Sequence, residues 1–332
     1  MSVKTVFLAY DLSARGGISY YAKALSEELE SCIENYELKE IKARSRWLRG
    51  LSVFWLGLTL PKGSLIISSH INFLLALAPL KRLKQLHLTV ITYNREVDNP
   101  AVRSTIDVVE VFFPLFKSGK SNLLQKNVQK DQIKIIYNIL KPTALTTGEQ
   151  KTTDKFLILC RLDRFDVKVK GVFYFLRALR FAKSVSLTIA GSGDAMKSLQ
   201  EYCHRHNIAD RVSFIGQVNN QRKIQLMSEA AYFVHLSNGE GLPCIAVMEA
   251  VDQGCVTIIH NDKRGDVATL PNNFECVLVD RHQTRTLAKK LMKLAQKPVI
   301  KDTQHMLRAK DSVSSYSAKS AAANILSRIE TL

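Results

Sequence analysis

The chain has 332 residues, too many for one hydrophobic core of ordinary size, so two domains of roughly 150 residues each are expected. With 46% hydrophobic and 23% charged residues it has the composition of a folded globular protein, which excludes a disordered, collagen-like or low-complexity chain. A formal charge of +17 points to a polyanionic partner: nucleic acid, an anionic membrane surface or a phosphate-bearing substrate.

From the start, residues 1–9 lack the basic region and cleavage site of a signal peptide and read as a buried first strand. Residues 51–60 are too few to span a bilayer and end at Pro61, and residues 65–80 are interrupted by Ser68, Ser69, His70 and Asn72, so neither stretch is a membrane span. Short β-branched runs at 5–9, 65–68, 88–92, 133–136, 156–159, 185–189, 212–215, 232–235 and 256–259 alternate with helical patterns, the signature of parallel α/β sheets. The periodicity stops at the polar, Thr-rich residues 142–153. The predicted organisation is a doubly wound domain over 1–142, a linker over 143–153, a second doubly wound domain over 154–311 and a C-terminal helix over 312–332. That helix carries Ile325, Leu326 and Ile329 on one face and is expected to pack back on the first domain. Ligands of such sheets bind beyond the carboxyl ends of the strands, so a cleft between the domains is expected.

The cysteines Cys32, Cys160, Cys203, Cys244, Cys255 and Cys276 form no Cys-x-x-Cys pair and read as reduced, buried thiols of a reducing compartment. His204 and His206 stand on different faces of a helix, and no metal site is expected.

The most informative residues follow the run 232–235: Ser237-Asn238-Gly239-Glu240-Gly241-Leu242-Pro243, then Glu249-Ala250 and Gly254 before the next strand. Pro243 reads as the first residue of a helix that Gly254 closes, so the helix N-terminus offers free amides to an anion such as a diphosphate. By position alone, a plain βα turn with solvated glutamates fits equally well. This stretch resembles the signature of the group 1, retaining, GT-B-fold glycosyltransferases, which reads Glu-Gly, six variable residues, then Glu-Ala ahead of a Gly and a strand. The resemblance implies that Glu240 contacts the donor sugar, that the loop of Gly241, Leu242 and Pro243 holds the sugar and diphosphate, and that Glu249 binds the ribose hydroxyls. In that family seven residues separate the two glutamates; here there are eight, and the extra one falls between Pro243 and Glu249.

A second block, Arg161-Leu162 leading to Lys170-Gly171, resembles the family's Arg-Leu and Lys-Gly element, whose cations neutralise the donor diphosphate. The spacing exceeds the family's by four residues, so Lys168 competes with Lys170, and pairing of Arg161 with Asp163 and Asp166 is the ordinary alternative. Gly191-Ser192-Gly193 lacks the third glycine of a dinucleotide fingerprint; it resembles the family's nucleotide-lining turn, and Gly216 its base-contacting loop. In the first domain, Gly16-Gly17 resembles the loop that reaches the donor phosphate, and His70, at a strand's carboxyl end, the family's acceptor-side histidine. Asn138 resembles an Asn just before the linker.

Residues 42–95 contain nine Lys or Arg and no Asp or Glu, interleaved with Trp47, Leu48, Leu51, Phe54, Trp55 and Leu58, a pattern suited to an anionic leaflet. No helix-turn-helix, zinc-finger or RNA-binding signature accompanies it, so nucleic acid is not the expected partner. The expectation is a metal-independent glycosyltransferase with no cofactor. It uses a nucleotide diphosphate sugar as co-substrate and a membrane-borne glycan or glycolipid as acceptor, as in lipopolysaccharide or capsule synthesis, and is cytoplasmic and peripheral on the inner face of the membrane. A nucleotide-dependent oxidoreductase, resting on Gly191 and Gly193 alone, and a non-catalytic nucleic-acid or membrane-binding protein are the alternatives.

Overall fold

The computed structural model describes the chain except residues 1–2, 14–16, 44, 94–95, 100–102, 104, 141–142, 144–150, 154 and 263–265. Gly16, Arg44, Arg95 and most of the expected linker therefore lie outside the described residues. The chain forms two compact units, one of Met1–Ile139 with Tyr316–Leu332 and one of Leu140–Ser315. Each is built on its own parallel sheet.

The first unit runs β1 (Thr5–Tyr10), α1 (Gly17–Cys32), β2 (Tyr36–Ile41), α2 (Arg46–Thr59), β3 (Leu65–Ser68), α3 (Leu74–Leu77), α4 (Leu80–Lys84), β4 (His87–Thr92), β5 (Val111–Pro114) and α5 (Lys117–Leu124). The strand order is β2-β1-β3-β4-β5. Side chains alternate along β1: Val6 and Leu8 join the apolar layer under α3, while Phe7 and Ala9 join the layer under α1. Residues 133–136, expected as a strand, only trail β5 with one bridge at Ile133, because Tyr137 turns away in the left-handed region at φ 54°. Conversely β2 (Tyr-Glu-Leu-Lys-Glu-Ile) escaped the reading: it is an edge strand whose charges pair along the rim, as Glu37 does with Lys4 at 2.6 Å.

The second unit runs β6 (Lys151–Thr153), β7 (Phe156–Leu159), α6 (Arg164–Lys170), α7 (Val172–Leu179), β8 (Leu187–Ala190), α8 (Met196–Arg205), β9 (Val212–Phe214), α9 (Asn220–Glu229), β10 (Tyr232–His235), α10 (Ile245–Asp252), β11 (Val256–His260), β12 (Cys276–Val279), α11 (Thr284–Ala295), β13 (Val299–Lys301) and α12 (Thr303–Val313). The main sheet has the order β12-β11-β10-β7-β8-β9, which is the doubly wound arrangement with its reversal between β7 and β10. Where described, the stretch expected as linker is tied into this unit. β6 pairs antiparallel with β13, and Thr143 donates its hydroxyl to Asp252 at 2.6 Å, whose other oxygen accepts from Lys310 at 2.8 Å.

The C-terminal helix α13 (Ala318–Ile329) belongs to the first unit, as expected. Ala321, Ala322 and Ile325 pack with Tyr21, Leu25 and Leu29 of α1, and Arg328 donates to the Asp131 carbonyl at 2.6 Å. No described helix is long and apolar enough to cross a membrane. Among the cysteines, Cys32 at the end of α1 is exposed, contrary to the expectation of buried thiols.

Candidate functional site

In the second unit the reversal of strand order leaves the carboxyl ends of β7 and β10 open beside one another, and both motif blocks emerge there. Beyond β10 the chain passes through Ser237 to Glu240 and enters α10, whose N-cap is Cys244. Pro243 was expected to be the first helical residue; it lies two positions before Ile245 instead, buried with Gly241 and Leu242. The helix closes as expected. Gly254 (φ 73°) donates to the Val251 carbonyl and Cys255 to that of Ala250, the two bonds of a Schellman ending.

Beyond β7, the chain runs through Cys160, Arg161 and Leu162 into α6. Gly171 breaks the helix at φ 75°, where any side chain would collide with the Leu236 carbonyl oxygen, 2.5 Å from the position of a β-carbon. That close approach brings Lys170 to the β10 loop, where its ammonium pairs with Oε1 of Glu240. The two sequence blocks thus meet in one ion pair, and the pair is the one made by Lys170. Lys168 is exposed and lines a separate depression with Arg164, Phe173 and Lys197. Burial pulls the Lys170 pKa down, but attraction to Glu240, the hydrogen bond to it and the Cys244 and Cys160 thiols together outweigh burial and raise it. Although burial opposes it, the charges of His235 and Lys170 hold the Glu240 carboxyl below its usual range.

Arg161 takes the ordinary alternative: its guanidinium is 78% exposed and pairs with Asp166 at 2.9 Å and Asp163 at 3.8 Å. Glu249 is not a solvated glutamate, since Lys223 of α9 donates to it at 2.5 Å. The glycine turn after β8 packs on the β7 extension, where Leu162 donates to the Ser192 carbonyl at 2.9 Å, and Gly191 donates to the Gly216 carbonyl at 2.8 Å. Gly191, Gly193 and Gly216 are therefore brought to the same strand ends. Gly17 begins α1 in the first unit. There His70 stands after β3, at the reversal between β1 and β3. Its Nδ1 accepts from the Asn72 amide at 3.3 Å, and its ring lies 5.0 Å from that of Tyr10. Asn138 is buried just before the boundary between the units.

Two residues of the site went unread. Lys223 has no motif around it. Arg281 follows β12, is buried, and donates to the carbonyls of Leu236 at 3.0 Å and Val169 at 3.2 Å while its guanidinium lies 4.6 Å from the Tyr174 ring. It clasps the two backbone segments that carry Glu240 and Lys170.

Burial holds the imidazoles of His70 and His235 down at about 4, with Arg49 adding to the effect at His70 and Lys170 at His235. Unfolding returns both to about 6.5, so the unfolded chain binds more protons between pH 4 and 6.5. Stability accordingly rises with pH across that window and is lost on acidification, by up to about 1.4 kcal/mol per pH unit for each histidine. Urea unfolding between pH 4.5 and 7 measures the slope, and His70→Asn with His235→Asn should flatten it; an unchanged slope contradicts the assignment.

Residues 147–311 match the family described as Glycosyl transferases group 1. The chain is 27% identical over 152 residues to the uncharacterized glycosyltransferase MJ1607 of Methanocaldococcus jannaschii, a match that covers 41% of this chain and 38% of that protein's length. Among solved structures, the lipopolysaccharide outer core galactosyltransferase WaaB superposes with a TM-score of 0.77 at 15% identity, covering 99% of both chains. Alr3699/HepE of Anabaena in complex with UDP superposes at 0.71 and 14% identity, covering 99% of this chain and 100% of that one. The pneumococcal O-GlcNAc transferase GtfA, in complex with UDP and GlcNAc, gives 0.60 at 18% identity over 85% of this chain and 59% of its own. The two Rossmann-like units are those of the GT-B fold, and the domain at 147–311, which contains both motif blocks, belongs to the group 1 glycosyltransferases.

Proposed function

We propose that the protein transfers a sugar from a nucleoside diphosphate donor to a hydroxyl of a membrane-borne glycan or glycolipid, with retention and without a metal. The observation that carries this reading is the pairing of Lys170 with Glu240, which joins the two motif blocks at the strand reversal of the second unit. The donor lies on that unit. Its sugar meets Glu240, its diphosphate the amides before α10, its ribose Glu249, and its base the loop at Gly216. UDP is the nucleotide to test first, because HepE and GtfA are seen with it. Lys170 is the cation that stabilises the departing diphosphate, with Arg161 swinging from its aspartates to assist, and the leaving phosphate takes the acceptor proton. His70, in the first unit, serves the acceptor.

Calorimetric titration with UDP and UDP-sugars tests the donor site. A hydrogen bond to a charged group contributes about 1.5–3 kcal/mol, so Glu249→Ala should weaken UDP roughly tenfold or more. Glu240→Ala should leave UDP nearly untouched and lower turnover of the full donor. Lys223→Ala controls for the loss of the Glu249 partner. Equal UDP affinity in wild type and Glu249→Ala removes the assignment.

The membrane part rests on α2. Trp47, Leu48, Leu51 and Trp55 are exposed and fall within about 100° of the helix circumference, while Val53 and Gly57 on the opposite side are buried. Trp47 is 83% and Trp55 63% exposed. α4 lies against the end of this helix, with Lys84 donating to the Leu58 carbonyl at 2.9 Å, and adds exposed Leu83 and Arg82. Exposed aromatic and leucine side chains together with the exposed Arg46 and Arg82 suit the interface of an anionic bilayer, whereas Arg49 turns to the Tyr10 ring at 5.2 Å. Each basic residue contributes about 1 kcal/mol near such a surface, so Arg46→Glu with Arg82→Glu should release the protein from phosphatidylserine-containing vesicles in a salt-sensitive manner. Trp47→Ala with Trp55→Ala should weaken binding even at low salt. Unchanged co-sedimentation of both variants makes the face merely solvated.

A further inference from the structure

Behind the Lys170–Glu240 pair stand two further side chains, His235 and Cys244, that the transfer reaction does not use. His235, the last residue of β10, places Nε2 at 3.4 Å from Oε2 of Glu240, the carboxylate oxygen that Lys170 does not hold. The Cys244 thiol, at the N-cap of α10, lies 3.8 Å from the same Nε2 and 4.0 Å from Nδ1, so the imidazole must turn for Nε2 and the sulfur to share one ion. All three potential ligand atoms fall within 4.8 Å of one another. A tetrahedral zinc ion, with bonds of about 2.0–2.1 Å to nitrogen and oxygen and about 2.3 Å to sulfur, sets its ligands roughly 3.3–3.6 Å apart. The nitrogen–oxygen edge already has that length, and the nitrogen–sulfur edge exceeds it by a few tenths of an ångström.

We propose that His235, Glu240 and Cys244 form a site for a thiophilic divalent cation of the zinc class, and that the cation competes with Lys170 for Glu240. The donor set is a mixed nitrogen, oxygen and sulfur triad with a fourth position open to water, a combination that selects zinc, cobalt and cadmium over magnesium or calcium. On coordination the Cys244 thiol gives its proton to solvent and binds as thiolate. Two cations then face one carboxylate. Repulsion between the metal and the Lys170 ammonium breaks the ion pair and leaves Lys170 pointing away from Glu240. Loss of that pair in the metal-bound chain would switch off sugar transfer; this consequence rests on the function proposed above, whereas the binding itself does not.

The test is a titration of the full chain with Co2+ and Cd2+, in a Cys32→Ser background that removes the exposed thiol. One equivalent should produce the thiolate-to-metal charge-transfer absorption and, for Co2+, the intense visible bands of a tetrahedral complex, both abolished by excess Zn2+. Cys244→Ser should remove the charge-transfer band, and His235→Gln should weaken binding at least tenfold, each in protein whose thermal transition matches the parent without metal. Lys170→Ala should bind Co2+ at least tenfold more tightly, since the competing ammonium is gone. A thiolate band that is absent in the parent, or that survives Cys244→Ser, overturns the site. Equal affinity in the parent and Lys170→Ala overturns the competition. No arm requires turnover, so a failure here is distinct from a failure of the glycosyltransferase reading.

Discussion

Replacing Lys170 with alanine should lower turnover about a hundredfold or more while the chain stays folded, whereas Lys168→Ala should leave turnover within a factor of about two. The magnitude is that of a fixed charge aimed at an anion that develops only as the donor bond breaks: it acts on the transition state more than on the bound ground state. Lys170 suits this role because its ammonium is half-buried and already oriented, by Gly171 behind it and Glu240 in front. Lys168, two residues earlier, faces a different depression. Arg161→Ala should have an intermediate effect, since its exposed guanidinium must first leave Asp166. Steady-state kinetics with UDP-sugar, paired with thermal unfolding of each variant, checks the set. If Lys168→Ala is the damaging change and Lys170→Ala is harmless, the pairing with Glu240 does not mark the reactive cation.

Gly191→Ala should cost the second unit about 3–5 kcal/mol, at the severe end for a single substitution. A β-carbon there would lie 1.8 Å from the Cys160 carbonyl oxygen, at a φ of 144° that side chains rarely adopt. The backbone cannot relax cheaply. Cys160 donates to the Ala190 carbonyl at 3.1 Å, Leu162 to Ser192 at 2.9 Å, and Gly191 itself to Gly216 at 2.8 Å. Moving Gly191 therefore breaks the ladder that extends β7 and β8 toward the site. Gly216→Ala is the control: its φ is also positive, at 73°, but nothing stands near its would-be β-carbon, so only a torsional cost of about 1 kcal/mol is expected. Chemical unfolding of both variants separates collision from torsion. A loss below about 1 kcal/mol for Gly191→Ala would mean that the turn is free to shift.

Several features were open to reading because they are local. Strands buried on both faces, such as β7 and β10, require continuous apolar runs, and those runs are visible in any window of four or five residues. The Gly254 ending of α10 is likewise a backbone requirement that one residue type satisfies best. β2 hid because an edge strand needs no apolar run, and residues 133–136 misled because β-branched composition cannot reveal how far pairing continues: Lys134 and Ile136 still donate to the Phe112 and Pro114 carbonyls of β5 before Tyr137 turns away. Pro243 suits the first turn of a helix, but the chain had to descend further before Cys244 could cap it.

What the amino-acid order determined by itself was the alternation that makes two parallel α/β units and the residue types from which the proposed nucleoside diphosphate site is built: two glutamates, an arginine, several lysines and glycine turns. These are properties of composition and of spacing over a few residues. The tertiary structure alone decided which charges meet. Lys170 and not Lys168 reaches Glu240, seventy positions away in sequence, because Gly171 lets the chain press on Leu236. Lys223 comes to Glu249, and Arg281 to the carbonyls of Leu236 and Val169, through the packing of α9 against α10 and of β12 beyond β11. His235 and Cys244 come together because a strand end and a helix start converge where the sheet reverses. Electrostatic pairing depends on distances in space that the doubly wound topology sets, and no short stretch of sequence encodes them.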